Sequence, residues 1–165
     1  MSITAQPSVT REVRDLIHPE DLAAVTATVQ RNNPGMTVDM AELVTLEALK
    51  FEAACAAHPD ARLKPSRVVD EGWHALILHT RVKASLAGRL GLFVHHVPEA
   101  TDAGRHDPGA LTRSQAAIVA AGYTPEPAMW GAPTDITIPV AASCEHSPPG
   151  PEGSCSGDCS NTGGN

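Results

Sequence analysis

Residues 68–80 read Val68-Val69-Asp70-Glu71-Gly72-Trp73-His74-Ala75-Leu76-Ile77-Leu78-His79-Thr80. Apolar side chains recur here every three or four positions, which predicts an amphipathic helix with Trp73 on its core-facing side. Ser66 is the expected N-cap, and we predict one continuous helix over residues 66–90. Gly72 within this helix costs roughly 1 kcal/mol relative to alanine, so we expect another backbone to approach closely there.

Two helices are predicted upstream of this stretch. The first begins at Pro19, with acidic residues in its first turn, and ends at the Asn-Asn-Pro-Gly turn of residues 32–35. The second is a long helix that ends near residue 58, with Thr37 or Asp39 as its N-cap. Its apolar residues recur at the same spacing, and Cys55 falls among them as a small buried hydrophobic side chain.

A fourth helix is predicted downstream, from residue 110 or 111 to residue 121. Residues 11–17 could form an additional short helix at the other end of the chain. We therefore predict an all-α fold, a bundle of four to five helices with a flexible Cys- and Gly-rich C-terminal tail. The expected divisions are an N-terminal arm, a helical domain and a low-complexity, Cys-containing tail, at residues 1–18, 19–130 and 131–165.

The composition narrows the expected partners to a small molecule or a protein. The 165 residues carry a net charge of −7, which argues against a nucleic-acid partner, because such a partner needs a basic face. No apolar run approaches the roughly 18 residues of a membrane span, so no membrane association is expected. The first ten residues lack the basic start and apolar run of a secretory signal, and the expected location is therefore cytoplasmic.

Asp70 and His74 are the first candidates for chemistry. They lie four positions apart on the predicted helix, so their side chains project from the same side, about one turn apart. A carboxylate and an imidazole in this arrangement form half of an ordinary zinc, iron or manganese site. The acid could instead orient the histidine from behind as an outer partner, or the two could form a purely structural hydrogen bond.

The remaining ligands are sought in residues 91–98, which we name the His-His segment. We predict that it is extended and folds back onto the helix. Neighbouring residues of an extended chain point in opposite directions, so one of His95 and His96 is expected to face His74. Asp70, His74 and one of these two histidines would hold a divalent metal, zinc or iron, and leave positions open for water or substrate.

Two more residues of the helix are candidates for roles beside this site. Glu71 lies three positions before His74 and could act as a general base on a metal-bound water. His79 lies about 140° around the helix from His74, so we expect it at the surface or rim.

The C-terminal tail offers a possible second metal or redox site, formed by Cys144, His146, Cys155 and Cys159. Their spacings, Cys-x-His and Cys-x3-Cys, differ from the paired Cys-x2-Cys pattern of zinc modules. Free thiols in a disordered tail are the alternative interpretation.

The chain resembles the glycine-rich domain-containing protein-like family, found in bacteria and with relatives in plants. The resemblance rests on two segments, Val69-Asp70-Glu71-x-Trp73-His74 and Gly91-x-Phe93-x-His95-His96-x-Pro98. It covers about residues 40–130 and implies a helical domain with a suspected site, and many relatives also end in Gly- and Cys-rich tails. The chain departs from the pattern at Leu76, where many relatives carry a second histidine.

Three functions compete. The first is a metal-binding helical protein of unknown reaction, whose site lies between the Trp-His helix and the His-His segment. The second is a non-enzymatic protein-interaction module with structural histidines. The third is a thiol redox protein that acts through its C-terminal cysteines. An enzyme and a non-catalytic protein both fit the pattern.

Overall fold

The computed structural model describes residues 12–99, 107–132, 135–140 and 156–158, with the backbone alone for 97–99 and 156–158. Five α-helices lie within these residues: α1 (Pro19–Asn32), α2 (Val38–Ala57), α3 (Arg67–Leu78), α4 (Thr80–Leu90) and α5 (Ala110–Ala120). A 3-10 turn, Val13–Leu16, precedes α1, and another, Pro127–Trp130, follows α5. The predicted all-α class with four to five helices is confirmed.

Helix α2 is the centre of the fold and packs against α1, α3, α4 and α5. It begins after Thr37, one of the two predicted N-caps, whose hydroxyl accepts a hydrogen bond from the backbone N–H of Met40 at 3.2 Å. Its sequence is apolar on nearly every side, as expected of a helix surrounded by others. Phe51 is fully buried and contacts both tryptophans, with its ring centroid 5.4 Å from Trp73 and 6.2 Å from Trp130.

The contact between α2 and α3 explains Gly72. A Cβ atom built on this glycine would lie 2.6 Å from the Val44 carbonyl oxygen and 2.9 Å from the Ala48 side chain. Neither distance is compatible with a methyl group, so the two helices approach as closely as they do because residue 72 lacks a side chain. The predicted close approach of another backbone is confirmed.

The prediction of one helix over residues 66–90 is wrong, because the chain bends at His79. This residue ends α3 and precedes α4 with φ −89° and ψ 69°, outside the helical region. Its backbone N–H bonds to the Leu76 carbonyl, three residues back instead of four, at 3.1 Å. Its imidazole Nε2 lies 2.8 Å from the Thr28 hydroxyl of α1, so a tertiary contact holds the bend in place.

The start of the described chain contributes to the core, because Val13 and Ile17 are both buried against it. Beyond α4, strand β1 (Val97–Glu99) pairs antiparallel with strand β2 (Ser156–Asp158), and Val97 lies opposite Asp158. This pairing is between backbones and connects the end of the His-His segment with the C-terminal region. The three divisions of the chain given above stay a prediction.

Cys55 is buried in α2, as predicted, and it is disulfide-bonded. The cytoplasmic location expected above stays a prediction. Within the described residues, no helix is both long enough and apolar enough to cross a membrane.

Candidate functional site

Asp70 and His74 lie on α3 and bond to each other. The His74 Nδ1 atom is 3.0 Å from Asp70 Oδ2, and the Asp70 side chain is fully buried while His74 is 32% exposed. An ionised carboxylate can only accept hydrogen bonds, so the proton of this bond belongs to Nδ1 of the imidazole. In a neutral His74, Nε2 therefore carries the free lone pair.

The His-His segment returns along α3 and presents its two histidines to different surroundings. The His96 ring packs edge-on against Trp73, with the ring centroids 4.9 Å apart. The His95 side chain is exposed, and its ring contacts Phe93 at a centroid distance of 4.9 Å. Of the two candidates, His96 is thus the one that lies beside α3.

His74 and His96 face each other across the gap between helix and segment. Their ring centroids are 5.0 Å apart and the ring planes are inclined at 83°. Two imidazoles that share a tetrahedral zinc ion at about 2.0–2.1 Å from each nitrogen place their centroids roughly 5 Å apart. An edge-to-face ring contact without a metal has a similar separation, so the distance fits both kinds of site.

The surroundings of the His96 ring favour its neutral form. Its Nδ1 atom is buried and has no hydrogen-bond partner among the residues that the structure describes. Burial lowers the pKa of His96 below its usual value of 6.5, and the nearby His74 and Lys83 lower it further. A neutral imidazole is the form that binds a metal.

No role is predicted above for Glu52 and Lys83, which lie beside the histidines. The Glu52 carboxylate of α2 is fully buried and accepts hydrogen bonds from Trp73 Nε1 at 2.6 Å and from Lys83 Nζ at 2.5 Å. We name these three residues the Trp73 cluster. A signal was present in the sequence, because Glu52 lies in a helix that is apolar on nearly all sides, and glutamate is almost never fully buried without a partner.

The Lys83 ammonium group lies between two aromatic rings, 5.4 Å from the Trp73 centroid and 5.5 Å from the Phe93 centroid. Burial lowers the pKa of Lys83, and the attraction of the Glu52 carboxylate opposes that shift. Lysine over an aromatic face is a favourable contact when both groups are removed from water. Lys83 thus joins α4 to α3 and to the His-His segment.

The structure gives Glu71 and His79 other contacts. Glu71 is buried and its Oε1 accepts a hydrogen bond from Asn33 Nδ2 at 2.9 Å, which ties α3 to the end of α1. His79 is half-buried at the bend and bonds to Thr28. The possible role of Glu71 as a general base stays a prediction.

Within the described part of the chain, no group of three or more His, Cys, Asp or Glu side chains is arranged to hold a metal ion. Asp70 lies behind His74 and bonds to its Nδ1, which is the position of an orienting partner instead of a third ligand. The tail candidates Cys144, His146, Cys155 and Cys159 lie outside the described residues.

Within the described residues, the fold is a bundle of five α-helices, and the rings of His74 and His96 lie together where α3 meets the His-His segment. No family model matches the chain, and neither a curated protein nor a solved structure does. The resemblance to the glycine-rich domain-containing protein-like family therefore stays an expectation from the two sequence segments.

Proposed function

We propose that this protein binds a divalent transition metal, zinc or iron, between α3 and the His-His segment. His74 and His96 are the two protein ligands, and Asp70 orients His74 through its Nδ1–H. The observation that carries the proposal is the bond of His74 Nδ1 to the buried Asp70 carboxylate, which leaves Nε2 of His74 as a ligand atom while the His96 ring lies 5.0 Å away. Imidazole suits zinc and iron, and a carboxylate partner raises the basicity of a ligating histidine.

Two histidines leave other positions on such an ion for water or for an oxygen or nitrogen atom of a substrate. Water bound to zinc loses a proton near neutral pH, which makes it a nucleophile. This is the chemistry that the metal would supply, and a metal-stabilised module without a reaction fits the same pair of ligands. Metal binding is therefore the function proposed, with no reaction assigned.

The test is a titration of the full chain, first freed of metal with a chelator, with Zn²⁺ by calorimetry and with Co²⁺ by visible absorption. We expect saturable binding that is lost in His74→Ala and in His96→Ala. The matched control is His95→Ala, which removes the neighbouring, exposed imidazole of the same segment and should bind Co²⁺ like the wild type. Asp70→Asn should weaken binding by about 10- to 100-fold, the usual effect of removing an outer partner.

The spectrum of the Co²⁺ form separates this site from metal held by tail cysteines. Thiolate ligands give strong near-ultraviolet charge-transfer bands, whereas imidazole and water ligands do not. Failure of the wild type to bind either ion would refute the proposal. Equal loss of binding in His95→Ala and His96→Ala would also contradict it.

The alternative of an interaction module with structural histidines makes a different prediction. In that case His74→Ala and His96→Ala lower the thermal stability of the protein, and added Zn²⁺ does not raise the melting temperature of the wild type. Metal binding, by contrast, stabilises the folded state by mass action and raises that temperature.

A further inference from the structure

We infer that Glu52 and Lys83 are positioning residues for His96: their buried ion pair fixes Trp73 and Phe93, the two aromatic rings against which the histidines of the His-His segment pack. This inference rests on the proposed metal site for its purpose, but the geometry that it concerns can be measured without metal.

Trp73 is held in one position and one orientation. Its indole is fully buried and its N–H bonds to Glu52 at 2.6 Å, so both the position and the rotation of the ring are fixed. The edge-on contact of His96 at 4.9 Å then depends on where this ring lies. Loss of the Glu52 bond would free the indole to turn and would change the surface that His96 meets.

Lys83 connects the same carboxylate to the His-His segment. Its ammonium group bonds to Glu52 at 2.5 Å and lies within 5.5 Å of the Phe93 centroid. Phe93 is 43% exposed, so burial alone does not hold it. Phe93 in turn contacts His95. These two residues flank Val94, which is buried, so contacts hold the segment on both sides of Val94.

Stability alone does not account for this ion pair. A buried ion pair contributes little to stability compared with apolar side chains of the same size, since both charges have lost their water. The ion pair does fix the orientation of neighbouring side chains, because a carboxylate can bond to an indole N–H and to an ammonium group at once. The contacts that it directs are those of Trp73 and Phe93 with the two histidines.

The chain carries its own control in Glu47, Lys50 and Trp130, which we name the Trp130 cluster. Glu47 accepts hydrogen bonds from Trp130 Nε1 at 2.7 Å and from Lys50 Nζ at 2.7 Å, as Glu52 does from Trp73 and Lys83. No histidine ring contacts Trp130 among the described residues. The same three residue types therefore occur once beside the site and once away from it.

The experiment compares the double variant Glu52→Gln/Lys83→Met with Glu47→Gln/Lys50→Met in the full chain. Each replaces the ion pair with neutral side chains of similar size. Glutamine offers the indole N–H only a neutral acceptor, whose hydrogen bond is about half as strong as that of the carboxylate. Co²⁺ affinity is measured by visible absorption. The imidazole C–H signals of His96, assigned with His96→Ala, are measured by NMR without metal at about pH 8.5, where the imidazole is neutral with or without Lys83. The indole of Trp73 shifts those signals through its ring current.

We expect the first double variant to weaken Co²⁺ binding by about tenfold or more and to move the His96 signals, while the second leaves both unchanged. Unchanged His96 signals and affinity in a folded Glu52→Gln/Lys83→Met protein would overturn the inference. So would an equal effect of both double variants. If the wild type binds no Co²⁺, the proposed function fails, while the metal-free signals still decide whether the pair positions His96.

If Glu52→Gln/Lys83→Met fails to fold, Glu52→Gln alone is used, since Lys83 is then the one unpaired group and can lose its proton. The expected result is again a displaced His96 signal, and an undisplaced one would again overturn the inference.

Discussion

The Trp130 cluster and the Trp73 cluster use the same three residue types on the same central helix, but they differ in what surrounds them. Glu47 accepts a third hydrogen bond, from the backbone N–H of Glu126 at 3.1 Å, and the Lys50 ammonium also donates to the Thr124 carbonyl at 2.7 Å. The Lys50 side chain is 16% exposed. This cluster attaches the chain beyond α5 to α2, and water reaches its edge.

In the Trp73 cluster the lysine is 4% exposed and has aromatic rings where Lys50 has a carbonyl. Both carboxylates are fully buried, and among the described residues a histidine packs on Trp73 but not on Trp130. The difference shows how one arrangement serves two purposes. Backbone groups complete the Trp130 cluster, which therefore fixes a chain segment. Aromatic rings complete the Trp73 cluster, which therefore fixes the surface that a histidine contacts.

The largest expected contrast is between Lys83→Met and Lys50→Met. Loss of Lys83 leaves the buried Glu52 charge with Trp73 as its described donor and should lower the free energy of unfolding by about 3–5 kcal/mol. Loss of Lys50 leaves Glu47, which is equally buried, with two N–H donors, from Trp130 and from the backbone of Glu126, and should cost less, about 1–3 kcal/mol. Urea denaturation of both variants measures the difference, and equal losses would show that the two clusters are energetically alike.

The second comparison tests whether a substitution in α3 disturbs the Trp73 cluster without disturbing the Trp130 cluster. Gly72→Ala should lower the unfolding free energy by about 1–3 kcal/mol, because the new methyl group meets Val44 and Ala48 of α2. It should shift the indole N–H signal of Trp73 in NMR spectra and leave that of Trp130 in place. Movement of both signals by the same amount would refute the separation.

The control for this substitution is Gly88→Ala in α4, where an added Cβ has no atom within 4 Å among its described surroundings. Alanine is the better helix former, so this variant should gain up to about 1 kcal/mol. Chemical denaturation under the same conditions gives both values.

The smallest expected effect is the pH dependence of His96. Its pKa in the folded protein is lowered from 6.5 by burial and by His74 and Lys83, so the unfolded chain takes up this proton more readily. The contribution of His96 to stability is therefore fully present above pH 6.5 and is lost as pH falls through the lower pKa of the folded state. The Trp73 indole signal should shift over the same range, while the Trp130 signal should not.

His96→Gln is the comparison for this titration, because it removes the proton uptake and keeps a polar side chain. The difference in unfolding free energy between wild type and variant, measured from pH 7.5 downwards, isolates His96 from the other histidines. A difference that stays constant with pH would contradict the expected effect.

The parts of the fold that were predictable from sequence are those with local signals. Thr37 and Ser66 bond to the backbone N–H three residues later, and both helices begin where such caps predict. Gly72 lowers the stability of a helix, so its presence within α3 predicted a compensating close contact with another backbone. Asp70 and His74 were predictable as neighbours because helical geometry alone places them together.

The parts that were missed depend on contacts between distant residues. The bend at His79 contains neither proline nor glycine and is held by Thr28, which lies 51 positions earlier. Without that bend, Lys83 has no reason to approach Trp73, so the pairing with Glu52 was not predictable either. Alternation along the His-His segment predicts that His95 and His96 point in opposite directions. Which of them lies beside His74 depends on the position of α3, which the sequence does not reveal.

The bend at His79 also has a consequence for the order of folding. It brings the residues of the Trp73 cluster together across chain separations of 21 and 31 residues, whereas Glu47 and Trp130 are 83 positions apart. Closing the longer loop costs about 1 kcal/mol more entropy. The surroundings of His74 and His96 should therefore assemble first, around α2 and the bend, and the segment that carries Trp130 should dock afterwards onto a site that is already formed.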